Sequence, residues 1–126
     1  MKLLIIAGPY EADRIRKAVV SAGFEAVAVE PGESLSGWIT ASRADLIVMA
    51  THGRGALGRL VLGSVTDHVI RRSTRPVMAV HPSHHERESF ELSGGSILVA
   101  IDESEYSDAI LDPVVDLALC TASSIT

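Results

Sequence analysis

Short apolar runs alternate along this chain with segments whose apolar residues recur at three- and four-residue intervals, an order that predicts strands alternating with helices. Leu3-Leu4-Ile5-Ile6-Ala7 reads as a buried strand closed by Gly8-Pro9. Ala12, Ile15, Ala18, Val19 and Ala22 then follow at helical spacing, and Gly23 stops the helix. Residues 25–30 predict a second strand ended by the turn Pro31-Gly32, and Leu35, Trp38 and Ile39 line one face of a short helix ending near Ala44. Residues 45–50 predict a third strand. Beyond a glycine-rich stretch, Val65, Val69 and Ile70 predict a buried helical stripe, and Arg71, Arg72 and Arg75 suit that helix's C-terminus. Pro76 stops it, and residues 76–81 predict a fourth strand at a sheet edge.

After Pro82 the pattern lapses. Residues 83–95 are polar and unperiodic, ending at Gly94-Gly95, and read as a linker. Residues 96–120 form a fresh β–α unit: Ser96-Ile97-Leu98-Val99-Ala100-Ile101 predicts a strand, and Ala109, Ile110, Val114, Leu117 and Ala118 predict a helix. Pro113 should kink or shorten that helix, and residues 121–126 should fray. The expected fold is α/β: one domain over residues 1–126, an open parallel five-stranded sheet with helices on both faces. Residues 1–82 form its main part, and residues 96–120 complete the sheet.

Composition narrows the function. With 126 residues the chain can bury roughly two-thirds of its unfolded surface. Aromatic residues make up only 4% against 47% hydrophobic overall, so the core is aliphatic, as buried parallel strands require. A net charge of −5 argues against nucleic acid or an anionic membrane as partner, since both demand a basic surface. The single cysteine, Cys120, allows no internal disulfide and points to a reducing, cytoplasmic setting. The apolar run at residues 3–7 is too short for a signal-peptide core.

The candidate chemistry lies between the third strand and the following helix. Gly53, Gly55, Gly58 and Gly63 allow tight turns and close backbone approach, and Ser64 is a good N-cap with Asp67 three residues on, near a capping box. Free N–H groups at such a helix start suit a phosphate. Two common fingerprints overlap the stretch by accident. Gly53-x-Gly55-x-x-Gly58 satisfies the dinucleotide pattern, but the helix start comes too late and no acidic residue stands about twenty positions on. Gly58-x-x-x-x-Gly63-Ser64 is a Walker A loop with serine where its lysine should stand, so the clamp on the terminal phosphates is missing.

A longer spacing carries more. Residues 44–54, Leu62-Gly63-Ser64-Val65-Thr66 and Arg75-Pro76-Val77-Met78-Ala79-Val80 closely resemble the universal stress protein family, whose nucleotide loop runs Gly, two residues, Gly, nine residues, Gly, then Ser or Thr. Ala50 takes the first glycine's place, Gly53 the second and Gly63 the third, with Ser64 last. The likeness covers residues 24–82. Residues 96–119 also resemble the family, but its beginning: Ile97-Leu98-Val99-Ala100-Ile101-Asp102 matches the first strand and the nucleotide-contacting aspartate. The chain therefore reads like a fragment of a tandem protein, or a permuted member. On that resemblance residues 96–101 should lie between the strands at 2–7 and 45–50, inserted from the same chain or exchanged with a second copy.

The resemblance implies a Rossmann-like, adenine nucleotide alpha hydrolase-like fold and a stress-response regulator that binds ATP (or AMP or ADP), with at most slow hydrolysis. It implies contacts from Met49, Ala50, Gly53, Arg54, Gly63, Ser64, Val65, Ala100 and Asp102, the last also a weak candidate for Mg²⁺ carried by the nucleotide. It further implies a homodimer, with exchange of residues 96–120 as one route to it. The Ala50 methyl departs from the pattern and should reduce affinity; a dimeric interaction module without nucleotide is the alternative. Asp102 also reads as a helix-capping residue. His52 has no nucleophile or carboxylate at triad spacing and reads as loop structure, while His84-His85 with Glu86 and Glu88 reads as polar linker rather than a metal site. Trp38 reads as core or interface.

Overall fold

Two aliphatic runs form the middle of the sheet because they are apolar on both faces. A computed structural model describes residues 1–29, 35–50, 64–80 and 94–126. In chain order the elements are β1 (Lys2–Ile6), α1 (Pro9–Ser21), β2 (Glu25–Val29), α2 (Leu35–Ser42), β3 (Leu46–Ala50), α3 (Ser64–Arg72) and β4 (Val77–Val80). They are followed by β5 (Ser96–Ile97), α4 (Glu105–Asp108), α5 (Leu111–Thr121) and β6 (Ser124–Ile125). The first four strands make one parallel sheet in the order β2-β1-β3-β4, and β5 and β6 make a separate two-stranded parallel pair.

Alternate side chains of the central strands enter two cores on opposite faces. Leu3, Ile5 and Val48 pack with Ala12, Ile15 and Val19 of α1, and Leu117 of α5 lies against this side. Leu4, Ile6, Ile47 and Met49 pack on the other face with Val69 of α3, Leu35 and Ile39 of α2 lying against them. The register of the central pair is pinned at its start: the Lys2 N–H donates to Asp45 Oδ2 at 2.8 Å, and the Asp45 N–H donates to the Lys2 carbonyl at 2.8 Å. Pro9 sits in the first turn of α1, where the missing N–H costs nothing. Gly23 takes φ +89°, a left-handed conformation that glycine adopts without strain, and turns the chain from α1 into β2.

Several expectations change. Residues 96–101 do not lie between β1 and β3: those strands are direct neighbours, with Leu3 opposite Leu46 and Ile6 opposite Met49. With β2 on its other side, β1 has both backbone edges engaged, and among the described residues the sheet has four strands. Only Ser96–Ile97 is strand, and Leu98 beyond it is 81% exposed. The tail does not fray; Ser124–Ile125 pairs with β5, the Thr126 N–H donating to the Ile97 carbonyl at 2.9 Å. The buried face of α3 is Thr66 and Val69, while Val65 and Ile70 fall on its two shoulders and are exposed. Trp38, read as core or interface, is partly exposed, which leaves the interface half of that reading.

Other expectations hold. Pro113 shortens the last helix, which begins at Leu111 and so places the proline in its first turn, where no intrahelical N–H bond is lost. Among the described residues β4 ends the sheet order. The turn at Pro31-Gly32 and most of the linker, residues 83–93, lie outside the described residues.

Ile47 is fully buried in the second central strand. Ile47→Ala should destabilise the protein by about 2–5 kcal/mol with an unchanged denaturant slope, measured by urea unfolding.

Candidate functional site

The connectivity of the sheet singles out one end of it. From β1 the chain leaves along α1, on one face, to β2; from β3 it leaves along α3, on the opposite face, to β4. Adjacent strands whose connections depart in opposite directions open a crevice beyond their carboxyl ends, where ligands of open α/β sheets bind. Here that crevice stands beyond Ile6 and Met49, which are opposite one another in the ladder. The glycine-rich segment leaves from its β3 side and reaches α3.

Met49 is buried against the α2 and α3 side, and Ala50 is half-buried against the α1 side. Ser64 opens α3, whose first N–H groups have no intrahelical acceptor. Both carboxylate oxygens of Asp67 accept from Arg71 Nε, at 3.0 and 2.9 Å, an i,i+4 pair along α3. Val65 beside Ser64 is exposed. Gly53, Arg54 and Gly63 lie outside the described residues, as do His52, Arg59 and the histidine pair at 84–85.

Ala100 and Asp102 belong to the other unit. Both are exposed and follow β5, whose partner is β6. Asp102 serves its own turn: the Ser104 N–H donates to Asp102 Oδ1 at 3.1 Å, and the Asp102 N–H donates to Ser107 Oγ at 3.3 Å. Ser104 in turn caps α4, its Oγ accepting from the Ser107 N–H at 3.2 Å. Glu103 between them has φ 63°, the left-handed conformation that closes the turn. Hydrogen bonding to the Ser104 side chain first, and then to Ser107, holds the Asp102 carboxyl below the ordinary aspartate range. The cap of α4 is thus Ser104, with Asp102 closing the turn before it, and no shared sheet brings Asp102 to Met49 and Ala50.

The sequence pattern passed over Ala7-Gly8-Pro9, which leaves β1 at the same crevice. Gly8 is the N-cap of α1 and carries no side-chain cap bond. The clue was the Gly-Pro pair closing an apolar run. Each helix start already carries one acid in its first turn, Glu11 on α1 and Asp67 on α3. Among the described residues no group of three or more His, Cys, Asp or Glu side chains could hold a metal ion. Asp102, the carboxylate that the sequence offers to Mg²⁺, is not brought to the strand ends at Ile6 and Met49 by any shared sheet.

Residues 3–81 match the sequence profile of the universal stress protein family. The chain belongs to the universal stress protein family. Its relatives include universal stress protein MJ0577 of Methanocaldococcus jannaschii, 47% identical over 36 residues, which cover 29% of this chain and 22% of that protein. Universal stress protein Rv2005c of Mycobacterium tuberculosis is 34% identical over 67 residues, covering 53% of this chain and 22% of the relative. A Thermus aquaticus universal stress protein is 42% identical over 50 residues, covering 40% and 36%. The chain thus matches well under half the length of each of these relatives. No solved structure matches it. No helix among the described residues is long and apolar enough to cross a membrane.

The depressed acidity of Asp102 sets a sign. An aspartate whose folded pKa lies below its unfolded value of about 3.9 stabilises above that pH, and the gain is lost as pH falls through the folded value. Carboxyl-detected NMR should find Asp102 titrating below the ordinary aspartate value of about 3.9. In Asp102→Asn the acid limb of stability should lose this small contribution.

Proposed function

We propose that this chain is an adenine-nucleotide-binding member of its family, acting in a stress response by recognition rather than turnover. The observation that carries the reading is the crevice between β1 and β3, from which a segment with four glycines leads to the free N–H groups of α3. The phosphates rest on the backbone of Gly53 and of Gly63-Ser64, with Arg54 offsetting charge and Val65 alongside. The adenosine lies at the strand end by Met49 and Ala50. Mg²⁺ enters with the nucleotide. The loop has no Walker lysine, and hydrolysis is slow for want of that clamp on the terminal phosphates. Membership of a family named for stress supports the physiological setting, and the reducing cytoplasm suits a chain with one cysteine.

A second reading, an interaction module without nucleotide, draws on Ala50. Where the family pattern has glycine, its methyl is used in the core on the α1 side.

Calorimetric titration with ATP and Mg²⁺ separates the two. A saturable heat is expected, and Gly63→Val should weaken it roughly tenfold or more by crowding the phosphate position, a loss of about 1.4 kcal/mol. Absence of any heat or thermal shift sinks the nucleotide reading, and phosphate release above about 1 s⁻¹ would make the protein an enzyme instead. Asp102→Ala decides the part of Ala100 and Asp102: a weakening of roughly tenfold puts the carboxylate on the nucleotide, and an unchanged Kd leaves the site to residues 49–65.

A further inference from the structure

Hydrogen bonding along residues 95–99 assigns each side of that segment. The Ser124 N–H donates to the Gly95 carbonyl at 3.0 Å, the Thr126 N–H to the Ile97 carbonyl at 2.9 Å, and the Val99 N–H to the Thr126 carbonyl at 2.9 Å. Residues 95, 97 and 99 therefore face β6, and the backbone groups of Leu98 and Ala100 face the other way. Neither Leu98 nor Ala100 makes a hydrogen bond among the described residues. Side chains alternate as in a strand: Ile97 and Val99 are half-buried, while Leu98 and Ala100 are exposed.

An open edge of this kind invites another strand unless lysine, proline or some other charge blunts it. Ser96-Ile97-Leu98-Val99-Ala100-Ile101 holds no charge and no proline. The ends of the main sheet are built differently. β2 opens on exposed Glu25, which is paired with Lys2, and β4 directly follows Pro76. The β5–β6 ladder is also short, two residues on each strand, and a small sheet gains stability from added strands.

We infer that the free edge at residues 98–100 pairs antiparallel with the same edge of a second copy, about a twofold axis at Val99. In that register Leu98 of each copy stands opposite Ala100 of the other, and each such pair exchanges its backbone hydrogen bonds. Val99 meets its own image, and Ile97 meets Ile101 on the same face. Pairing with a different edge would leave one free edge on each copy, whereas the twofold arrangement uses both and closes at a dimer. Like charge opposes it: residues 94–126 hold six carboxylates and no lysine or arginine, so salt should strengthen the association by screening them.

Sedimentation of the full chain should show a monomer–dimer equilibrium that tightens as salt is added. Amide exchange of the unaltered chain reads the interface directly. As concentration rises through the dimer range, Leu98 and Ala100 should slow, whereas Val99, already bonded to Thr126, should change little. Leu98→Lys blunts the edge at a side chain that is 81% exposed, and should weaken the dimer about tenfold or more with an unchanged circular dichroism spectrum. Val99→Cys, made with Cys120→Ser, should cross-link to its image on oxidation, because a non-hydrogen-bonded antiparallel pair sets its Cα atoms about 4.5 Å apart. Leu98→Cys in the same background should not. A monomer at all concentrations overturns the inference. So does a dimer that folded Leu98→Lys leaves unchanged, or one whose exchange slows only outside residues 97–101. The exchange measurement needs no substitution, so it decides the matter even where a variant fails to fold.

Discussion

The direct ladder between β1 and β3 is the constraint on which the rest of this structure depends. Five-residue aliphatic runs buried on both faces have one stable place, the middle of a sheet covered by helices on each side. Once they pair, α1 takes one face and α2 and α3 the other, and the crevice at their carboxyl ends follows. The Lys2–Asp45 exchange of backbone and side-chain bonds fixes the register at the opposite end, so a one-residue slip would both break those bonds and turn each strand's side chains to the wrong face.

That pairing also explains what becomes of the last third of the chain. An apolar run such as Ile97-Leu98-Val99-Ala100-Ile101 has the composition of a central strand, and its family likeness argues for a central place. Between β1 and β3 there is none to take, because each already satisfies the other's backbone. The run instead contributes two residues to a small pair with β6 and leaves Leu98 and Ile101 exposed. Apolar surface that a chain's own sheet does not cover is where association with other chains begins.

What was legible in the sequence is what depends on local period. The strands over residues 3–7, 25–30, 45–50 and 76–81 and the helices between them were readable, because a buried face repeats every two or every 3.6 residues. The parallel α/β class follows from that alternation. The position of residues 96–101 was not readable, since a run of apolar residues says that a strand will be buried but not which neighbours it will have. On α3, a β-branched pair at Val65 and Ile70 read as core, yet the helix turns Thr66 inward and leaves them on its shoulders. The tail shows the converse error: Ser124 and Ile125 have no period to read, and their strand exists because β5 needs a partner.

The candidate site divides along the same line. Met49 and Ala50 were found by motif spacing, and the strand's alternation then assigns them to opposite faces, Met49 to the α3 side and Ala50 to the α1 side. Both side chains are drawn back into the cores, so neither was placed by its own chemistry but by the alternation of the strand. Ala7-Gly8-Pro9 escaped notice because nothing in them is reactive. They matter by position alone: only the order of the strands shows that β1 ends beside β3.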